Sequence, residues 1–162
     1  MNQRLLTVLI LIAFSIACSS GGPDGAASKK ELTIKIKAAI VYKMGGPQPV
    51  ARTTFYLTKE SLISLARKAG KNEDIGVLGA MANYETQLDG SSKTIEGFVK
   101  PAALSTVTTD FEGNASFKNL APGTYYLIGV AQTRSGVAIW NTPVTPGDET
   151  ILIDQHNAAY TS

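Results

Sequence analysis

Few residues in this chain have the chemistry to react or to ligate. His156 is the only histidine, set in Asp154-Gln155-His156-Asn157. A catalytic triad needs a nucleophile and an acid beside the base, and a zinc site needs more ligands than one imidazole. His156 therefore reads as an exposed polar residue at a strand end. Asp110-x-Glu112-x-Asn114 alternates oxygen ligands as a calcium loop does. An EF-type loop needs a longer run and a terminal bidentate Glu, and a hairpin turn explains the same three residues. Glu73, Asp74, Glu85 and Asp89 cluster in sequence, where they would serve an acid–base pair or simply a solvated face. Trp140 and Asn141, joined by Tyr126 and also by Tyr125 and Tyr160, offer a stacking platform for a sugar or a peptide. Against that stands the commoner use of aromatics as filler in a sandwich. There is no Gly-rich phosphate loop, no Gly-x-Ser-x-Gly elbow and no paired-carboxylate spacing. The expectation is a chain that is not an enzyme, with no cofactor and no metal, whose candidate ligand contacts are Trp140, Asn141 and Tyr126.

Cys18 has a different chemistry. Met1 to Ala17 carries Arg4 as a short positive region, followed by the uncharged run Leu5 to Ala13. That run is shorter than the roughly 20 residues a spanning helix needs, and it suits a signal peptide. Ser15-Ile16-Ala17-Cys18 resembles a bacterial lipobox, with a small residue before a cysteine that becomes lipidated and first in the mature chain. Ser15 departs from the Leu, Val or Ile usual at its position. Cys18 is the only cysteine, so no intrachain disulfide forms. Ser19, rather than Asp, resembles the pattern of lipoproteins that continue to the outer membrane. The expected location is the bacterial cell envelope, lipid-anchored at the outer membrane or facing the periplasm after Sec export. Removing residues 1–17 leaves 14 basic against 13 acidic residues, which implies no nucleic-acid partner.

Three stretches must position these groups. Residues 18–30, rich in Gly, Ser and Ala, read as a flexible tether, and residues 31–162 as one domain. Leu32 to Tyr42 alternates apolar and polar residues and predicts a half-buried strand. Lys43 to Pro49 predicts a turn or short loop, and Val50 to Leu57 a second strand. A helix is expected at 59–69, with Gly70 just past its end. A second helix would open near Asn72 or Asp74, Gln87 to Lys93 would be loop, and 94–103 a further helical piece broken near Pro101. This insert, 59–104, lies between strands two and three and is expected on one edge or end of the sheets. From Ser105 strands return: Ser105–Asp110, Ala115–Lys118, Gly123–Gln132, Gly136–Asn141 and Glu149–Asp154. In the third of these, Tyr125, Leu127 and Gly129 alternate with Tyr126, Ile128 and Val130. About seven strands with closely spaced turns predict a mainly β, antiparallel sandwich.

The stretch Thr109-Asp110-x-x-Gly113-x-x-x-Phe117-x-x-Leu120-x-Pro122-Gly123-Thr124-Tyr125-Tyr126-Leu127 resembles the carboxypeptidase-regulatory-like family. The opening strands, joined through Pro49-Val50-Ala51, are similar to those of the same family and of transthyretin-like domains. The resemblance covers residues 32–57 and 105–155 and implies a prealbumin-like sandwich shared with Cna-B-type domains. Cna-B domains often carry a Lys–Asn isopeptide bond assisted by a Glu. Lys35 or Lys37 with Asn157 would mimic the reacting pair, but Thr124 to Val130 lacks the acid, so no such bond is expected. For function the family implies stalks, adhesins and binding modules. The expectation is a non-catalytic, lipid-anchored envelope protein, a binding, adhesion or structural accessory module whose partner is a glycan or another envelope protein. The competing expectation is a small hydrolytic enzyme with its site on the insert.

Overall fold

Alternation in the first strand translates directly into burial: Ile34, Ile36, Ala38 and Ile40 point inward while Lys35, Lys37 and Val41 face solvent. In the computed structural model, which describes residues 32–42 and 45–162, this is β1 (Ile34–Val41). The leader, Cys18 and the tether lie outside the described residues. β2 (Pro47–Pro49) follows where a loop was expected. Two prolines are tolerated there because a three-residue strand at a sheet margin needs few donors. β3 (Thr54–Thr58) starts later than Val50, because Arg52 turns the chain at φ 54.

Between β3 and β4 (Ser105–Thr108) the chain leaves for the insert, yet these strands pair as one antiparallel hairpin, Phe55 opposite Val107. The insert holds α1 (Leu62–Lys68), α2 (Ile75–Asp89) and α3 (Lys93–Val99), closed by a 3-10 turn at Lys100–Ala102. Ser61 starts α1 by accepting from the Ser64 amide at 3.2 Å, and Gly70 leaves it at φ 64, the expected stop. Asp74 starts α2 by accepting from the amides of Gly76 and Val77. α2 runs through Gln87 to Asp89, expected as loop, and ends only at Gly90, whose φ of 72 suits a residue without Cβ. No helix among the described residues is long and apolar enough to cross a membrane.

β5 (Asn114–Phe117), β6 (Tyr125–Gln132), β7 (Val137–Val144), β8 (Thr150–Ile153) and the two-residue β9 (Tyr160–Thr161) complete the set. One sheet joins β1 to β2 and β5 antiparallel and to β8 in parallel; the other runs β4-β3-β6-β7-β9, all antiparallel. The fold is thus a mainly β sandwich of two sheets with a helical insert. Its core lies between the sheets, around Ile34, Ile36, Phe55, Leu57, Phe117, Leu127 and Trp140.

The helices do not sit at an edge. They cover the outer face of the five-stranded sheet and form a second core of Leu62, Leu65, Leu78, Ile95, Phe98 and Val99 against Ile128, Val137 and Ile139. The cause is in β6 and β7, where both alternating faces are apolar. Leu127 and Trp140 fill the sandwich while Ile128 and Ile139 point the other way and must be covered.

Candidate functional site

The residues expected to do chemistry are almost all engaged in holding the fold. Trp140, the expected stacking platform, is 0% exposed, with its ring 5.7 Å from that of Phe55 and its Nε1 donating to the Asp154 carbonyl at 2.8 Å. The expectation of a ligand contact at Trp140 is therefore corrected: its β7 position points between the sheets. Asn141, its neighbour, accepts from the Leu62 amide at 2.9 Å and so holds the start of α1 onto the sheet. Tyr126 packs against the second core. The three do not form one surface, because successive strand residues face opposite ways.

The acids of the insert disperse in the same manner. Glu73 pairs with Arg67 at 2.6 Å and Asp89 with Lys93 at 2.5 Å, while Asp74 caps α2. Glu85 reaches across to α3, accepting from the Thr94 amide at 2.9 Å and from the Thr94 hydroxyl. No group of three or more His, Cys, Asp or Glu suited to a metal exists among the described residues. His156 is exposed beside Gln155, its amide bonded to Asp154. Lys35 and Lys37 face solvent, and Asn157 spends its amide on Leu152 and Asp154 within its own turn.

Asp110 closes the β4–β5 turn. Its Oδ1 accepts from the amides of Asn114 at 2.8 Å and Glu112 at 2.9 Å, and these bonds, the Asn114 amide first, hold its carboxyl below the usual carboxylate range. A depressed native-state pKa contributes stability above the unfolded-state value, which is lost as pH falls through the folded-state value. The stability difference between the wild type and Asp110→Ala is expected to be full at neutral pH and to vanish below the carboxylate range. Denaturant unfolding at a series of pH values measures it.

One set of polar groups remains unengaged, and it converges. A cleft of about 280 Å³ runs along the seam between the α2–α3 corner and the outer face of β3 and β6. Ile95, Ile128 and Val130 give it an apolar wall, and Tyr56, Thr86, Ser92, Glu96 and Gln132 bring polar groups. Two of these are anomalous. Thr86 is 5% exposed and Ser92 is 2% exposed, and neither hydroxyl has a hydrogen-bond partner among the described residues. Thr86 sits within α2, where a threonine commonly bonds back to a carbonyl one turn earlier. Ser92 holds the N-cap position of α3, but Glu85 already serves the Thr94 amide there.

A buried hydroxyl left without a partner costs about 1–3 kcal/mol. Thr86→Val, which keeps the shape and removes the orphan, is accordingly expected to raise stability by about 1 kcal/mol, a shift of a few degrees in Tm. Thermal unfolding tests it.

The remaining polar groups complete the electrostatics. Burial, and then the nearby Glu96 carboxylate, push the Tyr56 phenol above its ordinary value, so it stays protonated through the neutral range. At the rim, Arg52 lies over the Phe111 ring, 4.7 Å from its centre. Sequence reasoning missed Tyr56, Thr86, Ser92 and Glu96. The available signal was Tyr56, a polar-tipped residue alternating with Phe55 and Leu57 and so destined for the opposite face. Away from the cleft, Val77, Met81, Tyr84 and Leu88 leave an exposed apolar stripe along α2.

No family model matches the chain, and no curated protein sequence matches it. Among solved structures it is similar to a Pseudomonas aeruginosa protein proposed to bind carbohydrate, at 16% identity and a TM-score of 0.42, covering 80% of this chain and 92% of that one. It is similar also to the minor pilin of Streptococcus agalactiae, at 16% identity and a TM-score of 0.39, covering 76% of this chain and 43% of that one. The pilus backbone protein of Streptococcus pneumoniae follows at 12% identity and a TM-score of 0.35, with 75% of this chain and 40% of that one covered. The chain thus spans less than half the length of either pilin chain.

Proposed function

We propose that this protein is a non-catalytic binding module of the bacterial cell envelope. Cys18 carries its lipid anchor, and the seam between insert and sheet is its binding surface. The observation that carries this is the division of labour among polar groups. The acids that would run a hydrolysis are spent on caps and ion pairs, while two buried hydroxyls without partners line the cleft. Hydroxyls that lack partners, beside a single carboxylate and a phenol, suit recognition.

The test is a pull-down from the native envelope with the lipidated wild type, Cys18→Ala and Ser91→Trp. Ser91 lines the cleft at the α2–α3 turn and is not fully buried, so an indole there is expected to obstruct the opening. Cys18→Ala is expected to leave the membrane fraction, and Ser91→Trp to stay on the membrane but lose the retained partner. A wild type that holds nothing and turns over a substrate would sink the proposal.

A further inference from the structure

We propose that the cleft takes one hydroxyl-rich ring, an uncharged or amine-bearing sugar unit; this rests on the binding-module reading and names its ligand class. Size is the first constraint. At about 280 Å³ the cleft lies at the lower end of small-molecule pockets, which fits one ring and leaves no room for a long segment inside.

The second constraint is the pattern of donors and acceptors. The Thr86 and Ser92 hydroxyls each donate and accept, as sugar hydroxyls do, so either partner orients to suit the other. Glu96 is the one carboxylate lining the cleft and has no ion pair among the described residues, so its two oxygens are open to two adjacent hydroxyls or to an ammonium. Tyr56 adds a phenol that remains a donor at neutral pH. Half-buried Val130 offers an apolar contact for the C–H face of a ring, with Ile95 and Ile128 packed in the core behind.

Charge narrows the class further. A negative ligand group placed against Glu96 meets repulsion. Uronates and phosphates are therefore disfavoured. A single carboxylate also falls short of the carboxylate pair that most glycoside hydrolysis uses. The hydroxyl oxygens of Thr86 and Ser92 are shut off from bulk water by the structure around them. A sugar that reaches them must move aside the Gly90-Ser91-Ser92 turn that lines the cleft.

The experiment is an amide-shift titration of the full chain without its leader, using glucose, galactose, N-acetylglucosamine and glucosamine, beside an array of short glycans. The expected result is a sugar that shifts the amides of Ser91, Ser92, Gly129 and Gln132. Glu96→Gln should weaken it about tenfold and Tyr56→Phe several-fold, each with an unchanged Tm. Ser91→Trp should abolish it. No shift with any sugar, or shifts indifferent to Glu96→Gln and Ser91→Trp, overturns the assignment. If sugars fail while Ser91→Trp still releases a protein or peptide from the envelope pull-down, the sugar class falls and the binding module stands. If Ser91→Trp changes neither, both fall.

Discussion

Truncating Trp140 to alanine is expected to cost about 3–5 kcal/mol of folding stability, a large share of the 5–15 kcal/mol typical of a domain. Three losses add up. The indole is fully buried, so its removal leaves a cavity between the sheets; its contact with Phe55 disappears; and the Asp154 carbonyl loses the Nε1 donor that holds the end of β8. Trp140→Phe keeps most of the volume and should cost clearly less; the difference reports the cavity, and the cost that remains reports chiefly the lost hydrogen bond. Denaturant unfolding followed by near-ultraviolet circular dichroism separates the two. If Trp140→Ala left stability intact and removed ligand binding instead, the indole would be a surface platform, as its sequence context suggested.

Gly113→Ala is expected to cost about 3 kcal/mol or more, from two sources that compound. At φ 81 the residue occupies backbone space that an L side chain rarely takes. An added Cβ would also lie 2.1 Å from the Ala38 carbonyl oxygen, and that obstacle is backbone in β1, unable to swing aside. The Gly113 carbonyl meanwhile accepts from the Ala38 amide at 2.8 Å, so any retreat breaks a bond between the turn and β1. Gly97 is the control. It sits in α3 with nothing within 4 Å of a built Cβ, so Gly97→Ala should stabilise by up to about 1 kcal/mol. Chemical denaturation of the three proteins distinguishes a general glycine effect from one confined to the turn.

Local chemistry in the sequence explains what was legible. The run from Thr109 to Leu127 announced its turns because each is closed by nearby groups. Asp110 accepts from the amides of Glu112 and Asn114, and Tyr125 donates its hydroxyl to the Ala121 carbonyl at 2.8 Å across the next turn. Thr109 goes further, donating to the Val50 carbonyl at 2.6 Å and so tying this turn to the one before β3. The helices were legible through Asp74 and Gly70, both local signals. The alternation in β6 also gave its two faces correctly: Leu127 lies in one core and Ile128 in the other.

What failed depended on distant partners. Nothing near Trp140 says which face of β7 turns inward, since Ile139 is equally apolar and equally buried. Placing the insert over a face, not at an edge, required weighing Ile128, Val130 and Ile139 together as an outer surface too apolar to leave wet. The cleft was the least accessible of all. Thr86 and Ser92 are distinguished by lacking partners, a property of the assembled neighbourhood that no local pattern encodes. Pairing of β1 with β8, 115 residues apart, came from the same long range, and the side chain of Gln155 adds to it by accepting from the Val41 amide at 2.9 Å.

That parallel pairing governs how the domain bears mechanical load. Any pull on the chain ahead of Leu32 acts along the axis of β1, whose residues 35–37 are bonded to β5 and to β8 together. Hydrogen bonds that cross the line of pull, perpendicular to β5 and slanted to β8, are sheared as a group and not peeled one after another. Lys35, Ile36 and Lys37 would have to slip past two neighbours at once, while Ile34, Ile36 and Ala38 left the core in the same movement. The first strand is thus seated as a clamped strap, and a tug from its N-terminal end works against two neighbouring strands at once.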